Sequence, residues 1–405
     1  MPTQENAKEN LAHSHYANTA SSELSELKIV PQQRIILLDA IRGFALLGIF
    51  FMNIYFMGIT FFGYAGHVTP LILDEIIETF QNLFIEGRFI SLFSLLFGIG
   101  IYLQSQKFKL EGRNTTSLIH ARLRWLIVFG LIHGILIWPG DILLTYGVSG
   151  FLALRYSGNS IASLKLRAGL FIFIGLVFVA LITLNGDDVV FTRESPVFAS
   201  QYSAWTASYA SQLKLHLLQI GYMVMIIPFT LMWFSAGLML LGIALYQEGH
   251  FERGFSRRSL LQLLLLTLVL STLDTVFGFS HNSTLEAIAD VLVMLSAIPM
   301  ALIYVHILVK FCQNPSPFVD ALQRVGKLAF SLYILQSIVG VLLFRYLAPE
   351  LLLTLDRWGY FGLALSYSLV QLLIATLYFR WFNQGPLEKL WRYLAFNSGH
   401  TDITK

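Results

Sequence analysis

The sequence has little of what a soluble protein normally carries on its surface. Only 13% of its 405 residues are charged, whereas 56% are hydrophobic. It has a single cysteine, Cys312, which excludes a disulfide within the chain and is most simply an unreactive thiol. The formal net charge is only +3, which gives no reason to expect a nucleic-acid partner. These shortages exclude a soluble multidomain protein and indicate a chain that crosses the lipid bilayer several times.

The chain divides into three predicted regions by composition. Residues 1–33 are rich in Ser, Asn, Gln and Glu, and their apolar surface is too small to offset the entropy of ordering, which predicts a disordered polar tail. This tail lacks the pattern of a cleaved signal peptide, so the first spanning helix is expected to direct its own insertion. Residues 34–383 are the predicted transmembrane helical domain. Residues 384–405 place apolar side chains at helical spacing between basic ones, which predicts a cytoplasmic interfacial amphipathic helix and tail.

Ten apolar stretches have about the length, roughly 18 to 25 residues, that a membrane-spanning helix needs. They lie near 36–57, 84–104, 122–138, 141–156, 168–185, 216–246, 259–279, 285–310, 325–346 and 358–382. The third and fourth are separated because Pro139, Gly140 and Asp141 predict a tight polar turn. The sixth is too long for one upright helix, and Pro228 predicts a kink or tilt within it. The predicted fold class is therefore all-α, a polytopic transmembrane helix bundle of about ten spans.

Basic residues concentrate in alternate loops. Lys107, Arg113 and Arg257 lie in loops on one side, whereas the loop with Asp74 and Glu78 lies on the other. The positive-inside rule therefore predicts that both termini are cytoplasmic, and an even number of spans agrees with that. The largest predicted external segment has aromatic residues that favour anchoring at the membrane surface, with an acceptor-binding lid as the alternative.

The first span opens with charged residues in the sequence LLDAIRGFALLGIFFMNI. Asp39 and Arg42 are three residues apart and therefore share one helix face. They have two interpretations: a salt bridge at the cytoplasmic edge, or a substrate site in which Arg42 meets a phosphate or carboxylate. Gly43 permits close approach of a helix or a ligand.

The second span begins with another charged pair, in FIEGRFISLFSLLFGIG. Glu86 and Arg88 lie at the predicted external edge, where they are candidates for contact with a polar ligand. The small residues that follow them favour tight helix packing.

The strongest signal is a histidine and an aspartate eight residues apart in GLIHGILIWPGDILLTYG. His133 lies about five residues before a tight turn, and Asp141 begins the returning helix, so contact between them is geometrically plausible. A carboxylate beside an imidazole fixes its tautomer and raises its basicity, as a general base requires. The alternatives are that Asp141 is an ordinary helix cap and that His133 satisfies a neighbouring polar group. No motif in the sequence predicts a metal site.

Polar residues also occur in later spans. Asp274 lies within the seventh span and Asp290 near the start of the eighth, where a helix start favoured by the dipole is the simpler interpretation. In the ninth, VGKLAFSLYILQS, Tyr333 and Gln336 either line a cavity or form hydrogen bonds between helices.

Five ordered blocks of this sequence carry a family resemblance. RIILLDAIRGFALLGIFFMNI, GRFISLFSLLFGIGIYLQ, RLRWLIVFGLIHGILIWPGDILLTYGVSGFLAL, VGKLAFSLYILQSIVG and RWFNQGPLEKLWRYL together resemble the YeiB-like family of bacterial multispanning inner-membrane proteins, which contains domain of unknown function 418. The resemblance covers most of residues 34–395. It implies a multi-pass protein of the bacterial inner membrane.

A remoter resemblance implies chemistry. The Leu-Asp-x-x-Arg-Gly opening is similar to that of transmembrane acyltransferases of the heparan glucosaminide acetyltransferase type. In that group an acyl-coenzyme A donor arrives from the cytoplasm, and an intramembrane histidine assists transfer to an acceptor on the other side. The resemblance aligns Asp39, Arg42 and Gly43 with the opening motif and makes His133 the candidate histidine.

Two functions follow as hypotheses. The first is acyl transfer across the membrane, with Arg42 holding donor phosphates and His133, oriented by Asp141, deprotonating an acceptor hydroxyl or amine. No firmly bound cofactor is expected, and acyl-coenzyme A is the expected donor. The second is a small-molecule transporter or exporter in which intramembrane charged residues line a path. In both hypotheses the partners are the bilayer and a small molecule.

Overall fold

The computed structural model describes residues 32–185, 191–280 and 282–401. Within these ranges every secondary-structure element is a helix, and the β-type pairing is limited to an isolated bridge between Gly66 and Thr192. The predicted all-α class is confirmed. The predicted polar tail lies outside the described residues except for its last two, which begin the first helix.

Seventeen α-helices follow one another along the described chain. They are α1 (Gln32–Phe56), α2 (Ile72–Phe84), α3 (Arg88–Leu110), α4 (Thr115–Leu136), α5 (Leu143–Leu154), α6 (Ile161–Thr183), α7 (Pro196–Trp205), α8 (Tyr209–Ile226), α9 (Leu231–Gln247), α10 (His250–Arg253), α11 (Arg257–Gly278), α12 (Ser283–Phe311), α13 (Pro317–Lys327), α14 (Ala329–Leu342), α15 (Leu351–Thr354), α16 (Arg357–Tyr378) and α17 (Pro386–Thr401). A single turn, Ile227–Phe229, leads into α9, and a π-helical turn, Leu343–Leu347, follows α14.

Nine segments of the described chain are long and apolar enough to cross a membrane. Two shorter apolar helices, α5 and α9, join them in the bundle. The polytopic helical architecture predicted from the apolar stretches is therefore confirmed, although the helices are not divided as expected.

The predicted sixth span, 216–246, is two helices rather than one kinked helix. Thr230 leaves the helical conformation after Pro228, because proline has no N–H to continue the helix. Helix α9 then packs along α6, where a Cβ on Gly237 would lie 2.9 Å from the Ala168 carbonyl oxygen. Helix α8 instead crosses the end of α4. The sequence predicted only a kink at Pro228, because both helices are apolar and hydropathy does not show where one helix ends and the next begins.

The centre of the bundle is formed by helices that approach each other through glycine. A Cβ on Gly98 of α3 would lie 2.1 Å from the Met239 carbonyl oxygen of α9. A Cβ on Gly242 of α9 would lie 2.3 Å from the Leu95 carbonyl oxygen of α3. Small residues at such positions let backbones meet closely, as in other membrane helix bundles. Helices α6, α11 and α16 lie outside this centre and expose many large apolar side chains, as lipid-facing helices do.

A second close contact joins helices α1 and α13. Gly43 of α1 and Gly326 of α13 face each other, and a Cβ on Gly326 would lie 1.8 Å from the Asp39 carbonyl oxygen. The C-terminal helix α17 packs on the first half of α4 at the same end of the bundle, where Trp391 donates to the Arg122 carbonyl oxygen at 2.9 Å. The start of α1 and helix α17 therefore lie at one end of the bundle.

Candidate functional site

A cavity of about 490 Å³ opens at the end of the bundle where α1 begins. We call it the donor-end cavity, after the cationic hydrogen-bond donors at its mouth. It is lined by residues from α1, α3, α4, α5, α13, α14 and α17 and from the segment before α17. Its walls are mostly apolar and its mouth is charged. The apolar residues include Leu46, Ile49, Phe93, Leu96, Phe97, Leu123 and Leu126. The size and composition are typical of a small-molecule pocket.

Basic residues dominate the mouth of the donor-end cavity. Arg42, Arg122, Lys327 and Arg392 all line it, whereas Asp39 and Glu388 are its acidic residues. Arg42 Nη1 donates to Asp39 Oδ1 at 2.6 Å, so the two residues that the sequence placed on one helix face do form a salt bridge. For the other three cations, no carboxylate in the described part of the chain lies within ion-pair distance. The mouth therefore offers positive charge to an anion.

Glu388 has a different role at this mouth. Its carboxylate accepts hydrogen bonds from the backbone N–H groups of Phe330 and Ser331, at 2.9 and 3.0 Å, and from the Ser331 hydroxyl at 2.5 Å. These groups form the first turn of α14, where a negative charge is favoured by the helix dipole. Glu388 thus ties the C-terminal helix to the cavity wall, and its charge is largely used within the protein.

The inner end of the donor-end cavity is formed by Tyr333, Tyr146 and Ile142. The Tyr146 hydroxyl donates to the Ile90 carbonyl oxygen at 3.2 Å. The Tyr333 hydroxyl instead accepts from the Ile142 N–H at 3.2 Å, and no described residue accepts the Tyr333 proton. Tyr333 therefore has a donor available, and it is a cavity-lining residue of the ninth predicted span.

His133 and Asp141 lie directly behind this inner end. His133 Nδ1 is 2.8 Å from Asp141 Oδ1, and both side chains are almost completely buried. The other carboxylate oxygen of Asp141 accepts from the Leu144 N–H at 2.7 Å. Asp141 thus accepts a hydrogen bond from the first turn of α5 and contacts the histidine at the same time, so the cap and the predicted contact occur together, while a catalytic role stays a prediction.

Two glycines of α4 permit this arrangement. A Cβ on Gly130 would lie 2.6 Å from Asp141 Oδ2 and 2.5 Å from the Leu144 nitrogen. A Cβ on Gly134 would lie 2.3 Å from Ile220 Cδ1 of α8. Because Gly130 lacks a side chain, the start of α5 can rest against α4 beside His133, and Gly134 in the same way lets α8 approach α4. The role of these glycines was missed in the sequence, where the motif GLIHG was their only sign.

The second ring nitrogen of His133 has no partner. The Nδ1–H group donates to Asp141, which leaves Nε2 as an acceptor, and Nε2 is buried without a hydrogen bond among the described residues. His133 does not itself line the donor-end cavity; its ring centre lies 5.3 Å from that of Tyr333, which does. Tyr333 therefore lies beside the His133 ring and lines the cavity at the same time.

The opposite end of the bundle is closed over His133 by aromatic residues. Trp138 and Trp205 are fully buried, and the Arg345 guanidinium lies 4.2 Å from the Trp205 ring centre. Arg345 Nη1 is 2.8 Å from His216 Nε2. In the predicted external segment Trp205 is therefore buried, whereas Tyr209 is exposed, and anchoring at the membrane surface stays a prediction. Arg345 was missed, although an isolated arginine in an apolar span is the expected signal of a functional or structural role.

Glu86 and Arg88 lie away from the donor-end cavity. Arg88 is fully buried, and its three nitrogens donate to backbone oxygens and to the hydroxyls of Ser271 and Ser296. Glu86 is exposed, and Arg88 contacts its backbone oxygen at 2.6 Å. These contacts indicate that Arg88 holds neighbouring helices together. Contact of Glu86 and Arg88 with a ligand stays a prediction.

Asp274 belongs to the same packing cluster. Its carboxylate accepts from Asn82 at 2.9 Å and from Ser296 at 3.4 Å. Of the charged residues that the transport hypothesis places on one path, Asp39 and Arg42 line the donor-end cavity, whereas Asp274, Asp290 and His133 do not. The helices do not bring these residues to a common surface of that cavity.

The fold and this buried site define a multi-pass α-helical membrane protein with a cavity opening at one end. Residues 245–398 match the family described as "Protein of unknown function (DUF418)". The chain is 29% identical to "Uncharacterized protein YeiB" of Escherichia coli (strain K12) over 398 residues, which cover 92% of this chain and 99% of that protein. It is 25% identical to "Uncharacterized protein YxaH" of Bacillus subtilis (strain 168), covering 90% and 95%. These matches confirm the predicted resemblance to the YeiB-like family.

Proposed function

We propose that the protein transfers an acyl group from acyl-coenzyme A to an acceptor at the external face of a bacterial inner membrane. The observation that carries this proposal is the position of the His133–Asp141 pair behind the inner end of a cavity with a basic mouth. A polyphosphate donor with a long, largely uncharged arm matches such a cavity, because its phosphates meet the arginines and its arm meets the apolar walls.

The donor would enter from the predicted cytoplasmic side. Arg42, Arg122, Lys327 and Arg392 line the mouth, and their charges exceed those of Asp39 and Glu388. The thioester would then lie near Tyr333, at the inner end. Glu86 and Arg88 do not line the donor-end cavity, so the donor contacts are assigned to the residues of the mouth.

The transfer itself uses the unpaired nitrogen of His133. An acceptor hydroxyl or amine gives its proton to Nε2 while its oxygen or nitrogen attacks the thioester carbonyl carbon. The bond between carbonyl carbon and sulfur then breaks, and the departing thiolate takes the proton from the imidazolium. Asp141 holds the ring in the required tautomer and stabilises the transient positive charge. The products are the acylated acceptor and free coenzyme A.

Tyr333 supplies the hydrogen bond to the developing oxyanion in this scheme. Its hydroxyl oxygen accepts from the Ile142 N–H, which fixes the hydroxyl while its proton is directed elsewhere. A donor fixed before the reaction stabilises charge that develops in the transition state. Because Tyr333 lines the cavity, its proton is available to a carbonyl oxygen there.

We expect acetyl-coenzyme A to bind the detergent-purified protein saturably, and Arg42→Ala to weaken that binding. One charge-assisted contact to a phosphate contributes about 1.5–3 kcal/mol, so the loss corresponds to roughly ten-fold or more in Kd. Isothermal titration calorimetry measures both affinities.

The matched control for Arg42 is Arg155→Ala. Arg155 is exposed at the end of α5 and does not line the donor-end cavity. Its replacement therefore removes the same charge without touching the site. If folded wild-type protein fails to bind acetyl-coenzyme A at millimolar concentration, the acyl-transfer proposal fails. Accumulation of a solute in vesicles without any thioester would then support transport.

Replacing Tyr333 with phenylalanine should lower kcat for acyl transfer by about 10²-fold while leaving the Kd for acetyl-coenzyme A nearly unchanged. The ring that packs beside His133 is retained, and only the hydroxyl proton is lost. Isotope-edited infrared spectra of bound acetyl-coenzyme A give a second measurement. The thioester carbonyl stretch should shift to a higher wavenumber in the variant, and an unchanged frequency and rate would remove Tyr333 from the mechanism.

A further inference from the structure

A second cavity of about 320 Å³ adjoins the donor-end cavity. Gln104, Arg122 and Arg392 line both, so the two are neighbouring spaces with a shared wall. The second cavity lies between the end of α3, the start of α4 and helix α17. We call it the side cavity. It takes no part in the transfer step proposed for His133.

The side cavity is basic and carries aromatic rings. Its basic residues are Lys107, Arg113, Arg122 and Arg392, against one acidic residue, Glu111. Glu111 is paired on the protein itself, with Arg113 at 3.2 Å and Lys107 at 3.8 Å. Four cations against one carboxylate leave a formal excess of three positive charges, so the side cavity attracts an anion.

The rings of Phe108 and Phe396 also line this space. The Arg113 guanidinium lies 5.5 Å from the Phe396 ring centre, so a flat cation and a flat ring stand together at its edge. Aromatic faces beside guanidinium groups bind planar bases by stacking. The side cavity thus has what a phosphorylated nucleoside requires: stacking surfaces and positive charge.

The shared residues define the order of groups along a ligand that fills both spaces. Arg122 and Arg392 lie at the junction and suit a diphosphate. From there an uncharged arm runs into the apolar donor-end cavity, and a planar group with a further anion runs into the side cavity. We propose that the side cavity binds the 3′-phosphorylated adenosine end of a coenzyme A thioester, with Arg113 and Lys107 meeting the 3′-phosphate.

This inference rests on the proposed function, because it names how the same donor is recognised. It also separates that donor from a phosphorylated lipid, whose chain and phosphate would occupy the donor-end cavity and the junction alone. The lipid would place no phosphate against Lys107 and Arg113, which would then keep only their ion pairs with Glu111. The presence of a basic, aromatic second space favours the nucleotide.

The test compares acetyl-coenzyme A with acetyl-dephospho-coenzyme A, which lacks only the 3′-phosphate, on the full-length protein in detergent. Calorimetry should give a Kd roughly ten-fold or more weaker for the dephospho form, since one charge-assisted contact is lost. In Arg113→Ala this ratio of Kd values should fall to near one. A ratio between two ligands on one protein is insensitive to a general loss of folded material.

Lys109→Ala is the matched control, because Lys109 lies near the end of α3, shortly before Arg113, and lines neither cavity. It should keep the wild-type ratio. Equal affinities of the wild-type protein for the two ligands would overturn the side-cavity assignment and leave the proposed function standing. Failure of both ligands to bind would overturn the proposed function and this inference with it.

Discussion

Replacing His133 with alanine is expected to lower the rate of acyl transfer by about 10²–10⁴-fold, the usual contribution of a general base. The variant removes Nε2, which is the unpaired buried acceptor behind the donor-end cavity. The affinity for acetyl-coenzyme A should change little, because His133 does not line that cavity. The measurement is a rate of product formation from radiolabelled acetyl-coenzyme A, once an acceptor has been identified from a panel of hydroxyl and amine compounds.

His120→Ala is the matched control for this variant. His120 lies on the same helix, with its ring centre 5.2 Å from that of Phe151, and lies outside both cavities. Full activity in His120→Ala with loss in His133→Ala would tie the effect to the position and not to the removal of an imidazole from α4. A well-folded, fully active His133→Ala protein would contradict the assignment of the general base.

The second large effect is structural. Gly326→Ala places a Cβ 1.8 Å from the Asp39 carbonyl oxygen, which is backbone and has no rotamer to change. Helices α1 and α13 must separate, at a cost of about 3 kcal/mol if other overpacked cores are a guide. Thermal unfolding in detergent, followed by loss of monodisperse protein, should show a clearly lower midpoint. Binding of acetyl-coenzyme A should also weaken, because Asp39, Arg42 and Gly326 all line the cavity.

Gly169→Ala tests whether a new methyl group as such is harmful. Gly169 lies within α6, and a Cβ there meets nothing within 4 Å. Alanine is favoured over glycine inside a helix by about 1 kcal/mol in water, so this variant should be as stable as the parent or slightly more stable. Equal midpoints for Gly326→Ala and the parent would mean that α1 and α13 are not in close contact.

The histidine pair was predictable because it is local. His133 and Asp141 are eight residues apart, and a turn with Pro139 and Gly140 leaves two antiparallel helices side by side. The pairing of Asp39 with Arg42 was one of two alternatives for the same reason, since residues three apart share a helix face. Both contacts follow from helix geometry alone.

The cavity was not predictable in this way. Its mouth joins Arg42 near the start of the chain to Glu388 and Arg392 near the end. That contact depends on packing between distant helices, which no local pattern encodes. Glu388 was interpreted as part of an amphipathic surface helix, yet it caps α14. The division of residues 216–246 was also missed, because hydropathy measures apolar content and not the direction of a helix axis.

The donor-end cavity crosses the boundary of the family match. A polypeptide confined to residues 245–398 would keep Lys327, Tyr333 and Glu388 but would have no Arg42 and no His133. Neither portion is chemically self-sufficient. The cavity needs residues from the whole helical region. A polypeptide that carries only the segment matched by the family would therefore have an incomplete cavity. If the two portions are made as separate chains, any activity would depend on their meeting in one bilayer and restoring the contact between α1 and α13.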